Sequence, residues 1–211
     1  MATIGIKHPV FAPITSQTSG SKPTYSTGIV LGKAIKADVT LNFAEGTLYA
    51  DDSLAEYASK FQNGTITFGV DELTDAKKAT LFGYTLDSTG GSTVLKKGAK
   101  DVAPHGGFGY YKTLQVDGVK KYQAKWFLDT VFRENGDSAE TGGENINFQT
   151  TEIAGTIMPV IGYRNNDYVE EQTFTTESAA ITWLHSNANI TGTPSTRSAP
   201  SEDSTKSGSG K

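Results

Sequence analysis

Cysteine is absent from the 211 residues, which excludes disulfide frameworks and every metal site built on thiolate. Histidine is scarce. His8, His105 and His185 are the only three, and none has a second His at metal-ligand spacing. His185 falls near the end of an expected helix, where a dipole interaction explains it. Long apolar runs are missing, so nothing approaches the roughly 20 residues that a spanning helix needs. The start, MATIGIKHPVFAPI, is interrupted by Lys7, His8, Pro9 and Pro13 and has no basic-then-apolar leader. The chain therefore reads as soluble and not secreted through a cleaved signal, and lack of cysteine suits a reducing cytosol. A basic excess is lacking too: the net charge of −4 offers no general attraction to nucleic acid or anionic membrane.

Catalytic and cofactor motifs are also wanting. Gly208-Ser209-Gly210-Lys211 is no phosphate loop, because Thr205 stands where its first glycine should be and no helix can follow. Gly106-Gly107-Phe108-Gly109 precedes a strand rather than a helix, which rules out the dinucleotide reading. Asp51-Asp52 is the best carboxylate pair, yet adjacent residues in an extended segment point to opposite faces, and the spacing of calcium ligands is missing. No cofactor, metal or catalytic residue is expected.

What is present is β-forming. Hydrophobic residues make up only 36 % and glycines number 23, a profile of many turns and half-buried strands. Residues 34–43, AIKADVTLNF, alternate: Ile35, Ala37, Val39, Leu41 and Phe43 take one face. Residues 44–54 read as a loop carrying Leu48, Tyr49, Asp51 and Asp52. A hairpin about Asn63-Gly64 follows, a pair suited to a type I′ turn. That turn sets Phe61 opposite Ile66 and Tyr57 opposite Val70, with Glu56, Ala58, Lys60, Gln62, Thr65 and Thr67 on a wet face.

Thr74 to Gly83 spells a short capped helix that must lie on a sheet. Residues 86–109 read as a long irregular segment. A second hairpin is expected about Asp117-Gly118, its return strand placing Tyr122, Ala124, Trp126, Leu128 and Phe132 on one face. Phe127 and Val131 occupy the other face, so this strand is expected to be covered on both sides. Residues 146–163 carry one or two further strands, and Thr175 or Thr176 caps a second helix, ESAAITWLH. Residues 1–33 read as an extended arm lying on another surface. From 186 to 211 the chain is polar and reads as a flexible tail, leaving 1–185 as the folded domain.

These features occur together and in order over roughly residues 4–184. They include Gly5-Ile6-Lys7, Ala12-Pro13-Ile14, Leu48-Tyr49-Ala50-Asp51-Asp52 and Gly64 through Leu73. Leu81-Phe82-Gly83, Ala103-Pro104 with Gly107 and Gly109, Ile153-Ala154-Gly155 and Ala180 through Leu184 complete the set. In this the chain resembles the major tail proteins of long-tailed bacteriophages, in the subset from phages of Gram-positive bacteria. The resemblance implies a mainly β, sandwich- or barrel-like tail-tube fold flanked by a short helix, with a long N-terminal arm and extended loops. It further implies hexameric rings stacked into a hollow tube through which DNA passes, in a virion assembled in the host cytoplasm. Tape-measure, tail-initiator and tail-terminator proteins would be partners, and genomic DNA only a passing cargo. Leu48, Tyr49, Asp51 and Asp52 would then contact the stacked ring. Glu56, Lys60, Gln62, Thr65 and Thr67 would face the lumen. Two other classes compete: a monomeric carbohydrate-binding or adhesion sandwich, and an enzyme on a β scaffold.

Overall fold

The alternating and β-branched segments do form strands, and the chain is mainly β with two short helices. The computed structural model describes residues 2–50, 53–88, 92–136 and 151–191. Its strands are β1 (Ala2–Ser16), β2 (Thr24–Tyr25), β3 (Ile29–Val30), β4 (Ala34–Ala50), β5 (Ser53–Val70), β6 (Thr85–Asp87) and β7 (Val94–Lys96). Then come β8 (Gly106–Val116), β9 (Val119–Glu134), β10 (Thr151–Met158) and β11 (Val169–Phe174); the helices are α1 (Asp75–Phe82) and α2 (Glu177–Asn187).

One antiparallel sheet runs β2-β1-β8-β9-β10-β5-β4, with β3 beside β1 and β11 beside β9; β6 and β7 pair separately. The sheet curls over on itself. Phe68 of β5 and Phe108 of β8 have ring centroids 5.2 Å apart although β9 and β10 lie between them in the sheet. Phe11, Ile66, Phe127, Phe132 and Ile153 join them in the enclosed core, and Leu81 and Phe82 of α1 pack onto it. The opposite face of β1, β8 and β9 carries Val10, Ala12, Tyr111, Trp126 and Leu128, covered by Ala180, Ile181 and Leu184 of α2.

Helix ends follow local chemistry. Gly83 stops α1 at φ 74, a left-handed conformation open to glycine, and its N–H donates to the Ala79 carbonyl. Thr176 caps α2 by accepting from the Ala179 N–H at 3.3 Å. The Asp117-Gly118 turn forms as expected, with φ 50 and 81.

Asn63-Gly64 is not a turn. Both residues lie inside β5, Asn63 opposite Asn42 and Gly64 opposite Leu41, and the chain reverses between Ala50 and Ser53 instead. Residues 44–50, expected as loop, are strand. Reversal at 63–64 would leave the alternating segment before it without a partner, whereas the long ladder pairs both segments throughout. Gly64 serves a close approach: a Cβ there would sit 3.1 Å from the Thr40 carbonyl oxygen and 3.4 Å from the Ile157 Cβ.

The expected wet face survives this change. Register passes from Asn42–Asn63 to Phe43–Phe61, so Gln62 is one extra residue. That bulge flips the alternation and returns Lys60 and Glu56 to the face of Thr65 and Thr67. A second bulge has the opposite effect on β9. Register shifts between Gly106–Thr130 and Phe108–Phe127, and Phe132 joins the side of Phe127 rather than that of Trp126.

Residues 2–16 are extended, yet they are a strand within the sheet and not an arm on another surface. Val10, Phe11 and Ala12 are fully buried. Pro9 is tolerated because it sits at a bulge where His8 and Pro9 oppose one residue of β8. The segment 86–109 is less irregular than expected, holding the β6–β7 pair and the start of β8. Folded structure also runs past 185: Ala188 is fully buried and its carbonyl accepts from the Gly28 N–H at 2.9 Å. The expected strand start at Ile146 and the tail from 192 lie outside the described residues.

Candidate assembly surface

β10 pairs with β5 only from Gly64 to Val70. Beyond that point β5 has β4 as its ladder partner, and β4 is the last strand of the sheet, so its outer edge is open among the described residues. Residues 42–50 and 53–63 thus form a two-stranded ribbon extending from the domain. Such a ribbon is marginal in water by itself. It nevertheless exposes Phe43 (47 %), Leu48 (57 %), Tyr49 (68 %) and Tyr57 (55 %).

Register assigns its faces. Leu48 is paired with Glu56 and shares the wet face with Ala58, Lys60, Thr65 and Thr67. Tyr49 alternates onto the other face with Phe43, Thr47 and Tyr57. The two apolar candidates of the expected loop are therefore near each other in the chain but not on one face. Asp51 and Asp52 lie outside the described residues. Gln62 is exposed at the bulge. Toward the domain, the wet face holds Lys36, Asp38 and Glu152, and Lys36 bridges Asp38 at 2.9 Å and Glu152 at 3.9 Å. The hydrogen bond to Asp38 raises the Lys36 pKa. This surface is polar and largely self-neutralised.

On the opposite side, the ribbon's face continues into a groove of about 260 Å³. Ala37, Val39 and Leu41 of β4 form one wall, and Tyr110, Phe127, Tyr168 and Val169 the other. Phe61 stacks on Tyr168 at 3.8 Å between centroids, and Phe43 meets Phe61 edge-on at 5.8 Å. Lys112, Lys125 and Glu171 supply the polar rim. Lys125 is bound to Glu171 at 2.5 Å. Lys112 forms no ion pair among the described residues, and its amine lies 5.9 Å from the Tyr110 ring centroid. Burial, and then repulsion from Lys125, lower the Lys112 pKa. Sequence reading missed this groove, because its walls come from strands as far apart as β4 and β11; Lys112 and Lys125 on the two arms of the Asp117-Gly118 hairpin, opposite Gln123 and Tyr110, gave no local signal of it.

The histidines are used in pairs. His8 Nε2 and His185 Nε2 are 2.8 Å apart, joining β1 to α2. His105 Nδ1 is 2.9 Å from the Asp129 carboxylate, whose pKa burial raises. Among the described residues no group of three or more His, Cys, Asp or Glu is placed to hold a metal ion, and no helix is long and apolar enough to cross a membrane. No protein-family model matches the chain, and no curated protein matches it.

Proposed function

We propose that this chain is a structural protomer that polymerises, and, following its resemblance, that it builds the tail tube of a phage as stacked hexameric rings. The observation that carries the reading is the open β4 edge continued by a ribbon that exposes four large apolar side chains. Exposed strand edges and apolar ribbons are liabilities in a monomer, and a repeating heterologous contact removes both. In this reading the ribbon, with Leu48 and Tyr49, contacts a neighbouring ring. The face of Lys60, Gln62, Thr65 and Thr67 lines the lumen, where mixed charge lets DNA slide without binding, and Glu56, toward the outer end of that face, reaches the junction with the neighbouring ring. The role is non-catalytic, the site of action is the virion, and tape-measure, initiator and terminator proteins are the other partners.

Exposed Phe43, Tyr49 and Tyr57 also favour one rival reading, a monomeric carbohydrate-binding or adhesion module. Sedimentation and negative-stain microscopy of concentrated protein separate the two. Rings or tubes are expected, either spontaneously or on a cognate initiator. A chain that stays monomeric at high concentration and also fails to join seeded tubes would sink the assembly reading.

A further inference from the structure

Resting on the assembly reading above, we propose that the groove between β4 and the β8–β9–β11 wall receives the ribbon tip of a second copy, with Glu56 of the incoming ribbon pairing with Lys112. Leu48 and Glu56 are cross-strand partners, so an aliphatic side chain and a carboxylate stand side by side near the tip. The groove offers the complement. Its walls are apolar, and Lys112 brings a partly desolvated cation that forms no direct ion pair among the described residues, Glu171 acting on it only at longer range. Glu56 forms no ion pair among the described residues either, although it is exposed.

The groove cannot be filled by the ribbon of its own chain. Leu41 lines the groove, and the ribbon departs from that point; its tip lies nine residues further on, about 30 Å along the strand. A ribbon that occupies the groove therefore belongs to another copy, displaced along the ribbon direction. Root and tip are different surfaces, so the contact is head-to-tail and repeats without self-limiting pairing. Lys125 contributes less to recognition, because Glu171 already neutralises it.

Charge reversal tests the pairing. K112E and E56K should each raise the critical concentration for assembly by about tenfold or more, the scale of losing one well-placed interfacial charge pair. The combined variant should recover most of the loss. K112M, which keeps the aliphatic stem, should act in the same direction, with far-ultraviolet circular dichroism showing the fold retained. The cysteine-free chain also allows a direct readout. Mixing E56C with K112C under mild oxidation should give a disulfide-linked dimer of the two different variants, in excess of what either gives alone. Wild-type assembly that K112E, K112M and E56K leave unchanged, with no mixed dimer, overturns the groove proposal and leaves the assembly reading standing. Normal assembly together with an anionic amphiphile seen by native mass spectrometry, and lost in K112M, overturns it in favour of a small ligand. A wild-type chain that never assembles removes both.

Discussion

Single residues here decide what the sheet can enclose. Gly106, Gly107 and Gly109, which the sequence places before a strand and so outside any dinucleotide-binding turn, are inside β8, where they admit two large rings. A Cβ on Gly107 would sit 2.1 Å from Trp126 Cζ2, and one on Gly106 would sit 2.4 Å from the Phe11 ring. Trp126 is fully buried with its indole N–H donating to the Tyr25 hydroxyl, so it has little room to yield. Gly107→Ala is expected to destabilise the fold by about 1–3 kcal/mol, a fall in melting temperature of roughly 2–12 °C for a chain of this size. An unchanged melting temperature would show that Trp126 can shift.

His8 makes a second residue-scale case. It occupies a left-handed conformation, φ 57, at the β1 bulge, which brings its ring onto His185. Two imidazole nitrogens at this separation need one donor and one acceptor, so a second proton opposes the contact. Burial, then His185, hold the His8 pKa down to about 4 from 6.5, while Glu177 pulls it up. Lys7 and the Tyr111 hydroxyl also meet Glu177. The unfolded chain therefore takes up this proton first. Stability from the neutral pair is complete above pH 6.5 and declines as pH falls toward 4. His8→Asn, which tolerates the same backbone, should flatten the dependence of melting temperature on pH across that window. Parallel curves for variant and wild type would remove the histidine pair as the cause.

At the scale of elements, the ribbon and α2 behave oppositely. Leu48 and Tyr49 are exposed on a ribbon with no third strand among the described residues, so little of the domain's own stability rests on them. Replacing both with Ser should leave the melting temperature within about 1–2 °C of wild type, as surface changes usually do. Assembly should fall sharply, because apolar anchors dominate interface energy. A large loss of melting temperature would instead mean that the ribbon folds back on its own domain. Helix α2 is integral. Ending the chain after His185 removes its last two residues and the buried Ala188, with its bond to Gly28. That truncation is expected to cost about 2 kcal/mol or more, hence roughly 4–8 °C. A chain ending after Thr191 keeps every described contact and should melt like the full chain. Differential scanning calorimetry of the two lengths distinguishes them.

For the whole molecule, a curled sheet buries both faces of its middle and only part of one face of its end. β1, β8 and β9 lie between the enclosed core and α2. Ala34, Ala37 and Val39 of β4 and Phe61 of β5 lean on that core, but Phe43, Leu48, Tyr49 and Tyr57 further out are exposed among the described residues. Assembly is the use this asymmetry supports, and it predicts that exchange of backbone amides in 42–50 and 53–63 is fast in the monomer and strongly slowed on polymerisation. Hydrogen-exchange mass spectrometry at concentrations below and above assembly checks this directly. Equal exchange in both states would place the contact elsewhere.

Local chemistry alone determined a good part of this protein. Alternation over 34–43 specified a strand, Gly83 and Thr176 bounded helices, and Asp117-Gly118 made its turn, because each rests on contacts within a few residues. The wet face of Glu56, Lys60, Thr65 and Thr67 was also legible, since hydrophobic pattern outlasts an error in register. Tertiary structure decided the rest. Whether Asn63-Gly64 turns or extends depends on which ladder is longer, a competition between distant segments that no local preference can settle. Residues 2–16 join the sheet because β8 offers an edge and the core has room for Phe11. The bulge on β9, the histidine pair and the Lys112 groove exist only once remote strands meet. Side chains gain neighbours from the fold, and the free energy of those contacts is nowhere written in the adjacent sequence.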